Sequence, residues 1–359
     1  MANVRFCPKA DMCLFRTWRL TRYDGLFQAA RATVSRRAFI KLIACSAVWP
    51  LAVDAQPANK PVIGFLSARS AKESEHLVDA FRKGLAEYGV IEGQNATIDY
   101  RWADSHYERL AGQASDLLAR QPAVLISVGG DMTAKVATAA TQTIPIVAVF
   151  IGDPVVGGFV ASLSRPGGNI TGVSNLNAVI EAKRIGLLRD LKPGIATVGA
   201  LLNPDSITAA AQRKDIEEAA RTTGLKVEFM EAKNDPELDA AFKSIVEKRI
   251  PALLVPADAF FAAAREKLAD LAASNHVPAI YSLKESVVSG GLMSYGNDLP
   301  DTYRLIGTYA ARIVKGAKPA DLPVLQPTKF EFVLNRKAAK VLDLSIPAGV
   351  LSIIDEVIE

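Results

Sequence analysis

The chain has few of the residues that usually carry metal or thiol chemistry. Only three of its 359 residues are cysteines, and Cys7, Cys13 and Cys45 all precede residue 56. If that segment is removed, the remaining chain has no cysteine, which excludes disulfides, thiol catalysis and cysteine-ligated zinc from it. The three histidines are widely spaced and form no HExxH-type motif. The sequence therefore predicts no metal site and no cofactor.

Motifs of nucleotide-driven and serine-hydrolase chemistry are also missing. The chain contains neither the dinucleotide fingerprint GxGxxG nor the phosphate loop GxxxxGK[ST]. It has no GxSxG nucleophile elbow, and with such scattered histidines a Ser-His-Asp triad would be accidental. These absences disfavour both classes of enzyme.

Positive charge is concentrated at the N-terminus. Residues 1–55 hold nine of the 42 Lys and Arg residues but only three of the 38 acidic residues. From residue 56 onward, 33 basic and 35 acidic residues leave a net charge of −2. That part of the chain has no overall attraction for nucleic acid. The chain also lacks an uncharged apolar stretch of about 18 residues, so no multi-span membrane protein is expected.

Residues 35–55 have the pattern of an export signal. The segment SRRAFIK at 35–41 supplies a charged start with a twin-arginine-like pair, and an apolar run follows from Leu42 to Val53. Small residues then precede Gln56, which is typical of a cleavage site. We therefore expect an exported, periplasmic protein. A buried amphipathic helix is the alternative interpretation of this segment.

Two further features of the N-terminal segment give expectations. The sequence LIAC at 42–45 resembles a lipoprotein box, which would place a lipid anchor on Cys45. Lys41 interrupts the apolar run that such a signal needs, so cleavage without lipidation is favoured. Residues 1–34 fit no part of a signal peptide, and we expect translation to start near Val34.

Beyond residue 60, short apolar runs alternate with amphipathic helical patterns. The runs that begin at Val62, Val124 and Ile146 are continuously apolar, whereas the run from Ala96 to Tyr100 alternates as an edge strand does. Continuous apolar strands separated by amphipathic helices indicate a parallel sheet that is covered on both faces.

The same pattern starts again near Thr197. Strand-like runs at 197–202, 227–230, 253–255 and 279–281 alternate with helical patterns, so one βα series occurs twice. The turn-rich stretch RPGGN at 165–169 predicts the seam between the two copies. We therefore predict an α/β protein with two doubly wound parallel-sheet lobes.

The C-terminal part, about 60 residues, is too short to bury a core of its own. It contains a helical pattern over 300–315 that stops at Gly316, and an alternating strand pattern at 330–334. We expect these segments to cross between the lobes and form a hinge that opens and closes a cleft. The predicted organisation is an extension with an export signal at 1–55, a first lobe of 60–170 plus 298–326, and a second lobe of 171–297 plus 327–359.

Candidate ligand-binding residues follow from this fold. In open α/β sheets a ligand binds at the carboxyl ends of the strands, and two facing lobes would bring both sets of ends around one cleft. The candidates at these ends are Ser67, Gly129, Gly130, Met132, Thr133 and Asp153 in the first lobe, and Asn203, Asp258, Phe260 and Tyr281 in the second.

Each type of candidate has a chemical role and a plainer alternative. The N–H groups after Gly129 and Gly130, before a helix, suit a carboxylate or phosphate, or else form a tight turn. Asp153 and Asp258 suit a ligand amine, or else cap a turn and a helix. Phe260 and Tyr281 could stack on a ligand ring or fill the core. Phe150 and Tyr295 are further aromatic residues with the same two uses, and Glu285, soon after a strand end, is a weaker candidate.

Several motifs from about residue 60 to the C-terminus resemble, in order, those of one protein family. They are IPIV at 144–147, GDPV at 152–155, SLSRPGGNITG at 162–172, GGLMSYG at 290–296, KGAKPADLP at 315–323 and QPTKF at 326–330. The family is the uncharacterised type of ABC transporter substrate-binding proteins, which includes tryptophan- and tyrosine-binding members.

The resemblance implies a fold, a role and partners. The fold would be that of a type I periplasmic binding protein, with three crossovers between lobes that close like a flytrap. The protein would deliver a small solute, such as an amino acid or another small carboxylate, to a membrane permease and its ATPase. It would act as a monomer, without nucleic acid and with membrane contact only through the permease. Asp131, after the glycine pair, would oppose a carboxylate unless its side chain points elsewhere.

Two other function classes remain open at this point. A two-lobe enzyme, such as a racemase or lyase, would place paired acid and base groups, often cysteines, across the cleft. A ligand-sensing module of a regulator or receptor is the second alternative. Its DNA-binding version would need a basic helix-turn-helix before the first lobe, where this sequence has an export-signal pattern.

Overall fold

The computed structural model describes residues 60–175 and 177–359. The predicted export signal, the expected translation start and all three cysteines lie outside these residues. The described chain forms two α/β lobes, each built on its own sheet. The fold class predicted from the alternating pattern is therefore confirmed. No helix in the described part of the chain is long and apolar enough to cross a membrane.

The first lobe contains a five-stranded, all-parallel sheet in the order β2-β1-β3-β4-β5. Its strands are β1 (Val62–Ser67), β2 (Thr97–Trp102), β3 (Val124–Val128), β4 (Ile146–Phe150) and β5 (Ile170–Ser174). Every residue of β3, β4 and β5 is buried, while β2 at the edge is only partly buried. Burial on both faces explains why the inner strands are continuously apolar.

Helices cover both faces of this sheet. They are α1 (Glu75–Glu87), α2 (Leu110–Leu118) and α3 (Asp131–Ala140), with single 3₁₀ turns at Lys72–Ser74 and Tyr107–Arg109. The apolar stripe of α1, with Leu77, Phe81 and Leu85, packs into one core cluster, and α2 contributes to a second cluster on the opposite face.

The second lobe repeats the order of the first and extends it. Its sheet has the order β12-β11-β10-β9-β8-β6-β7, in which β11 runs antiparallel to β10 and β12 runs parallel to β11, so these two strands oppose the others. The strands are β6 (Thr197–Leu202), β7 (Lys226–Glu231), β8 (Leu253–Val255), β9 (Ala279–Tyr281), β10 (Met293–Asn297), β11 (Phe330–Asn335) and β12 (Glu356–Ile358). The order β7-β6-β8-β9-β10 matches that of the first sheet, which accounts for the repeated pattern in the sequence.

Eight helices lie between or after the strands of the second sheet in the sequence, and one of them, α10, packs against the first lobe. They are α4 (Asn177–Leu191), α5 (Ala209–Thr223), α6 (Asp235–Glu247), α7 (Ala259–Ala263), α8 (Arg265–Ser274), α9 (Lys284–Val288), α10 (Leu299–Val314) and α11 (Arg336–Val341). A short helix, α12 (Ala348–Leu351), and a 3₁₀ turn at Pro319–Asp321 complete the described elements. Ala264 ends α7 and begins α8.

The chain passes between the two sheets three times. It leaves the first sheet after β5, returns after β10 as α10, and crosses again between Leu325, which bridges to Val173 of β5, and β11. The first crossing therefore follows Ser174 rather than residue 170. The turn-rich stretch at 165–169 connects β4 to β5 within the first lobe, because β5 pairs with β4 along its whole length.

Helix α10, which follows the second crossing, packs closely against helix α1 of the first lobe. A Cβ atom at Gly84 of α1 would overlap the carbonyl oxygen of Arg304, and one at Gly307 of α10 would overlap that of Phe81. Glycine at both positions lets the two backbones touch, as small residues do at close helix crossings. The N-terminal turn of α10 is thereby held beside the cleft.

We expect Gly307→Ala to lower the free energy of unfolding by about 1–3 kcal/mol, because the added methyl group must push α10 away from α1. Gly112→Ala is the matched control, since Gly112 lies in α2, is exposed and has no neighbouring atom within 4 Å of where the added methyl group would lie. This control should be neutral or slightly stabilising through helix propensity. Urea unfolding measures both variants, and equal effects would contradict the close contact.

Candidate functional site

A narrow cavity lies between the two lobes, where the carboxyl ends of both sets of strands face each other. Its volume is about 60 Å³. The first lobe contributes the segments after β1, β3, β4 and β5, the second lobe contributes the segment from Ala257 to Ala262, and α10 closes one side. The polar or backbone-exposing groups of its wall are Arg69, Gly129, Gly130, Asn175, Asp258 and Tyr303. The predicted cleft at the strand ends is therefore present.

Arg69 follows β1 directly and is buried, with 7 % of its surface exposed. The hydroxyl of Ser67 accepts the Arg69 backbone N–H at 3.1 Å, which fixes the turn that carries this side chain. Within the described chain, Nε of Arg69 has no hydrogen-bond partner and no carboxylate lies within ion-pair distance of the guanidinium. Burial raises the pKa of Tyr303 to about 12, and the positive charge of Arg69 opposes part of that rise.

Gly129 and Gly130 form the turn between β3 and α3. Their φ angles are 94° and 117°, and a Cβ atom at Gly129 would lie 2.9 Å from the Cβ of Ala68. Glycine is required here for both reasons. The N–H groups of Gly130 and Met132 have no hydrogen-bond acceptor in the described chain, so they are available at the positive end of α3.

Asp131 does not point its carboxylate at these free N–H groups. Its Oδ1 accepts the N–H of Ile151 at 3.3 Å, and its Oδ2 accepts that of Gly152 at 2.9 Å. Burial raises the pKa of Asp131 to about 6, against the opposing effect of these backbone N–H donors. The side chain thus ties α3 to the segment after β4, and the conflict expected between Asp131 and a bound carboxylate is reduced.

Asp258 stands on the opposite wall as the N-cap of α7. Its Oδ1 accepts the N–H groups of Phe260 at 2.8 Å and Phe261 at 3.3 Å, and also Nδ2 of Asn203 at 3.0 Å. Oδ2 has no hydrogen-bond donor in the described part of the protein. Burial raises the pKa of Asp258. The helix-cap role is present, and it leaves one carboxylate oxygen free beside the cavity.

Two asparagines lie where the chain crosses between the lobes. The backbone N–H of Asn175 donates to the carbonyl of Phe150 at 3.0 Å, and Nδ2 of Asn297 donates to the carbonyl of Asn175 at 3.2 Å. These bonds join two of the three crossings. The side-chain oxygen of Asn175 is buried and has no partner among the described residues, and Asn175 lines the cavity.

Several predicted site residues lie away from the cavity wall. Tyr281 is 1 % exposed in the second-lobe core, where its hydroxyl donates to the carbonyl of Leu268 at 3.4 Å. Phe260 packs against the same cluster, and its ring lies 5.6 Å from that of Phe261. Of the two uses considered for these rings, the structure thus shows core packing, and neither ring lines the cavity.

The remaining first-lobe candidates serve local structure. Met132 packs against the first-lobe core, and Thr133 is completely buried with no hydrogen-bond partner for its hydroxyl among the described residues. Asp153 is exposed and its Oδ1 accepts the N–H of Val155 at 2.7 Å, which makes it a turn cap. Ser67 and Asn203 affect the cavity wall indirectly, since their hydrogen bonds hold Arg69 and Asp258 in position.

Three cavity residues were missed as candidates from the sequence. Arg69 belongs to a strand end that the pattern does identify, but nothing in the pattern shows that its charge is buried. Asn175 follows β5, a strand that the sequence did not reveal. Tyr303 lies in a helix whose apolar face looks like ordinary core packing, and only the crossing of the chain brings it to the cleft.

Charged side chains join the lobes beside this cavity. Nη1 of Arg265 in α8 lies 2.6 Å from Oε1 of Glu73, and Nε2 of His76 in α1 lies 3.4 Å from Oε1 of Glu285 in α9. A larger cavity of about 610 Å³ is lined by these four residues among others. Burial raises the pKa of Glu285, but the hydrogen bond with His76 and the charge of Arg69 outweigh it, so the net shift is downward.

No group of three or more His, Cys, Asp and Glu side chains could hold a metal ion within the part of the chain that the structure describes.

The sequence matches a protein-family model over residues 62–358. The model is described as "ABC transporter substrate binding protein". This match covers almost all of the described chain and includes both lobes and the three crossings.

Individual relatives agree with that match. A tyrosine-binding protein of Clostridioides difficile is 28 % identical over 264 residues, which are 74 % of this chain and 75 % of the relative. The structure of an ABC domain in complex with L-Trp from Streptococcus pneumonia is similar with a TM-score of 0.77 and 27 % identity, over 83 % of this chain and 100 % of that one. The ligand-free, open structure of a substrate-binding protein from Clostridium difficile is similar with a TM-score of 0.62 and 26 % identity, over 83 % of this chain and 99 % of that one.

The raised pKa of Asp131 predicts how stability depends on pH. The folded protein holds this proton more tightly than the unfolded chain, whose value is near 3.8, so the contribution of Asp131 is greatest at low pH. It should be lost as the pH rises from about 4 to about 6, by about 3 kcal/mol. Urea unfolding at pH 4, 5, 6 and 7 should show a steeper fall for the wild type than for Asp131→Asn. Parallel curves for the two proteins would contradict the raised pKa.

Proposed function

Because the chain belongs to the family of ABC transporter substrate-binding proteins, we propose that it is the solute-binding component of an ABC importer. It captures a small molecule, an amino acid or another small carboxylate, in the cleft between the lobes. The observation that carries this proposal is the meeting of both sets of strand ends around one cavity that holds Arg69 and Asp258 in its wall. The family consists of binding proteins rather than enzymes, and the role needs no covalent step.

The two walls of the cleft differ in the charge that they offer to a ligand. The first lobe presents the guanidinium of Arg69 and free N–H groups at the start of α3, which suit an anionic group. The second lobe presents the carboxylate of Asp258, which suits a cationic group. A ligand with one group of each sign would join the lobes.

Closure of the lobes is the mechanism of capture. The cavity has a volume of about 60 Å³, whereas small-molecule sites commonly hold about 300–1,000 Å³. A solute can therefore enter only when the lobes move apart about the three crossings. Greater similarity to the L-Trp complex than to the open, ligand-free relative supports a closed form here.

The ligand acts by its different affinity for the open and the closed form. A molecule that touches both walls binds the closed form more tightly and raises its population. The Arg265–Glu73 and His76–Glu285 contacts stabilise the closed form directly, since each joins one lobe to the other. The closed, loaded protein then docks on the permease, and the ATPase drives transport.

Location and partners follow from the same role. We propose that the protein is periplasmic, that its export depends on the segment at 35–55, and that it meets the membrane only through the permease and ATPase. It acts as a monomer and uses no cofactor. Cell fractionation tests the location, and a cytoplasmic protein would exclude both the export and the transport role.

A thermal-shift screen of the purified protein tests the ligand class. The panel contains the twenty amino acids, short carboxylates, sugars and nucleosides, with L-tyrosine and L-tryptophan as the first probes. We expect an amino acid to raise Tm by a few degrees, because a ligand at 100 times its Kd adds about 2.7 kcal/mol. Recovery of unaltered ligand by mass spectrometry completes the test. A chemically changed ligand would favour the racemase or lyase alternative, and a shift only with sugars would exclude the amino-acid class.

Removal of one interlobe ion pair should favour the open form. In Arg265→Gln the loss of the partly buried contact to Glu73 costs the closed form about 1 kcal/mol, so the ligand Kd should rise about five-fold. The radius of gyration of the free protein, measured by small-angle X-ray scattering, should increase as well. Arg189→Gln, an exposed substitution in the same lobe, is the control and should change neither quantity. An unchanged Kd and an unchanged radius of gyration in Arg265→Gln would show that the Arg265–Glu73 contact does not stabilise the closed form.

A further inference from the structure

We propose that His76 makes closure of the lobes sensitive to pH, so that the protein holds its solute more tightly in mildly acidic than in neutral solution. The inference rests on the solute-binding role proposed above and names a regulation of the cleft rather than its ligand. It depends on the contact between His76 and Glu285, the one ion-pair contact between the lobes in the described chain that contains a histidine.

His76 and Glu285 belong to different lobes and lie far apart in the chain. Nε2 of His76, in the first turn of α1, lies 3.4 Å from Oε1 of Glu285 in α9. The side chain of His76 is 50 % exposed and that of Glu285 is 18 % exposed. Movement of the lobes away from each other breaks this contact. The imidazole meanwhile stays accessible to water and can exchange its proton with the solvent.

The charge on His76 decides what this contact contributes. An imidazole ordinarily changes its charge between pH 5 and 8. Burial raises the pKa of Glu285, but the hydrogen bond with His76 and the charge of Arg69 outweigh it, so the net shift is downward and Glu285 stays negative over this range. A protonated His76 therefore forms an ion pair with Glu285 in the closed form, whereas a neutral His76 forms only a hydrogen bond.

The direction of the pH effect follows from this difference. Glu285 compensates the positive charge of His76 only when the lobes are together, and in the open form water surrounds both groups. The extra stability of the closed form is present where the imidazole is protonated, and it is lost as the pH rises through the titration of the imidazole. A solute that binds the closed form should therefore lose affinity between about pH 5.5 and 7.5.

Other charged and titratable groups surround this contact on every element that packs around it. They are Arg69 after β1, Lys72 and Glu73 in the turn before α1, Glu75 and Asp79 as neighbours on α1, Arg265 in α8, Lys284 in α9, Asp298 and Tyr303 at the start of α10, and Glu331 in β11. Burial raises the pKa of Glu331, and the pKa values of Asp131 and Asp258 are raised in the same way. A pH profile alone therefore does not identify the responsible group, and substitutions are needed.

Small-angle X-ray scattering of the ligand-free protein tests the inference without any solute. The radius of gyration of the wild type should be smaller at pH 5.5 than at pH 7.5, because more molecules are closed. His76→Gln keeps an N–H donor but takes up no proton, so its radius should be the same at both pH values. Because His76 is half-exposed, this substitution should leave folding intact.

The matched control is His106→Gln. Nδ1 of His106 lies 3.1 Å from Oε1 of Glu108 in the same short turn of the first lobe, and both side chains are exposed. Closure does not change this contact. The variant should therefore keep the wild-type difference in radius between the two pH values.

Titration calorimetry measures the effect on binding, with L-tyrosine or the compound that gives the largest thermal shift as the probe. The wild-type Kd should rise about two- to four-fold from pH 5.5 to 7.5, the size expected for a half-exposed ion pair. At pH 6.5, titrations in two buffers of different ionisation enthalpy should show uptake of part of one proton on binding. His76→Gln and Glu285→Gln should each remove both effects.

Two further variants separate His76 from the other charged groups. Arg265→Gln should raise Kd by the same factor at every pH, because an arginine stays charged throughout this range. Asp131→Asn should keep the wild-type rise in Kd, because the Asp131 carboxylate bonds to backbone N–H groups of its own lobe.

The outcomes distinguish this inference from the proposed function. A wild type whose radius and Kd do not change with pH, or a His76→Gln variant that keeps the wild-type changes, would overturn the inference while solute binding stands. Tighter binding at neutral than at acidic pH would overturn it as well. If no solute of any class binds, the solute-binding role fails, and the scattering comparison still decides whether His76 governs closure.

Discussion

Burial of charge at the strand ends is the constraint on which the cavity between the sheets depends. Arg69, Asp131 and Asp258 are all buried there, and each buried charge needs partners. Asp131 and the Oδ1 of Asp258 find them in backbone N–H groups at the ends of helices and strands. Arg69 does not. Its Nε has no hydrogen-bond partner among the described residues, so this guanidinium is the least satisfied charged group of the cavity wall.

Contacts within each lobe hold the two walls of the cavity in position. The glycine contacts between α1 and α10 hold the N-terminal turn of α10 against the first lobe, and with it the ring of Tyr303. The Asn203–Asp258 hydrogen bond does the same for the start of α7 in the second lobe. At the crossings, the hydrogen bond from Asn297 to the carbonyl of Asn175 joins two of the connecting segments.

The fold could be predicted from the sequence because its signals are local. Continuous apolar strands and amphipathic helices indicate that each sheet is parallel and covered on both faces, and their repetition indicates that there are two lobes. The first lobe boundary was misplaced for an equally local reason. The glycine- and proline-rich stretch at 165–169 has the composition of a linker, but β5 follows it and pairs with β4, and pairing partners are not visible in sequence spacing.

The sequence by itself therefore determined the two-lobe α/β architecture, the edge of the sheets at which the interlobe cavity lies, and the glycine turn that starts α3. Those features depend on periodicity and on the conformational range of single residues. Only the tertiary structure decided which polar groups at that edge are satisfied. Ser67, Asn203 and Asp153 turned out to bond within their own lobe, and Tyr281 to pack in the core. Arg69 was left buried and unpaired, because partnership in hydrogen bonds depends on distances between segments that are far apart in the chain.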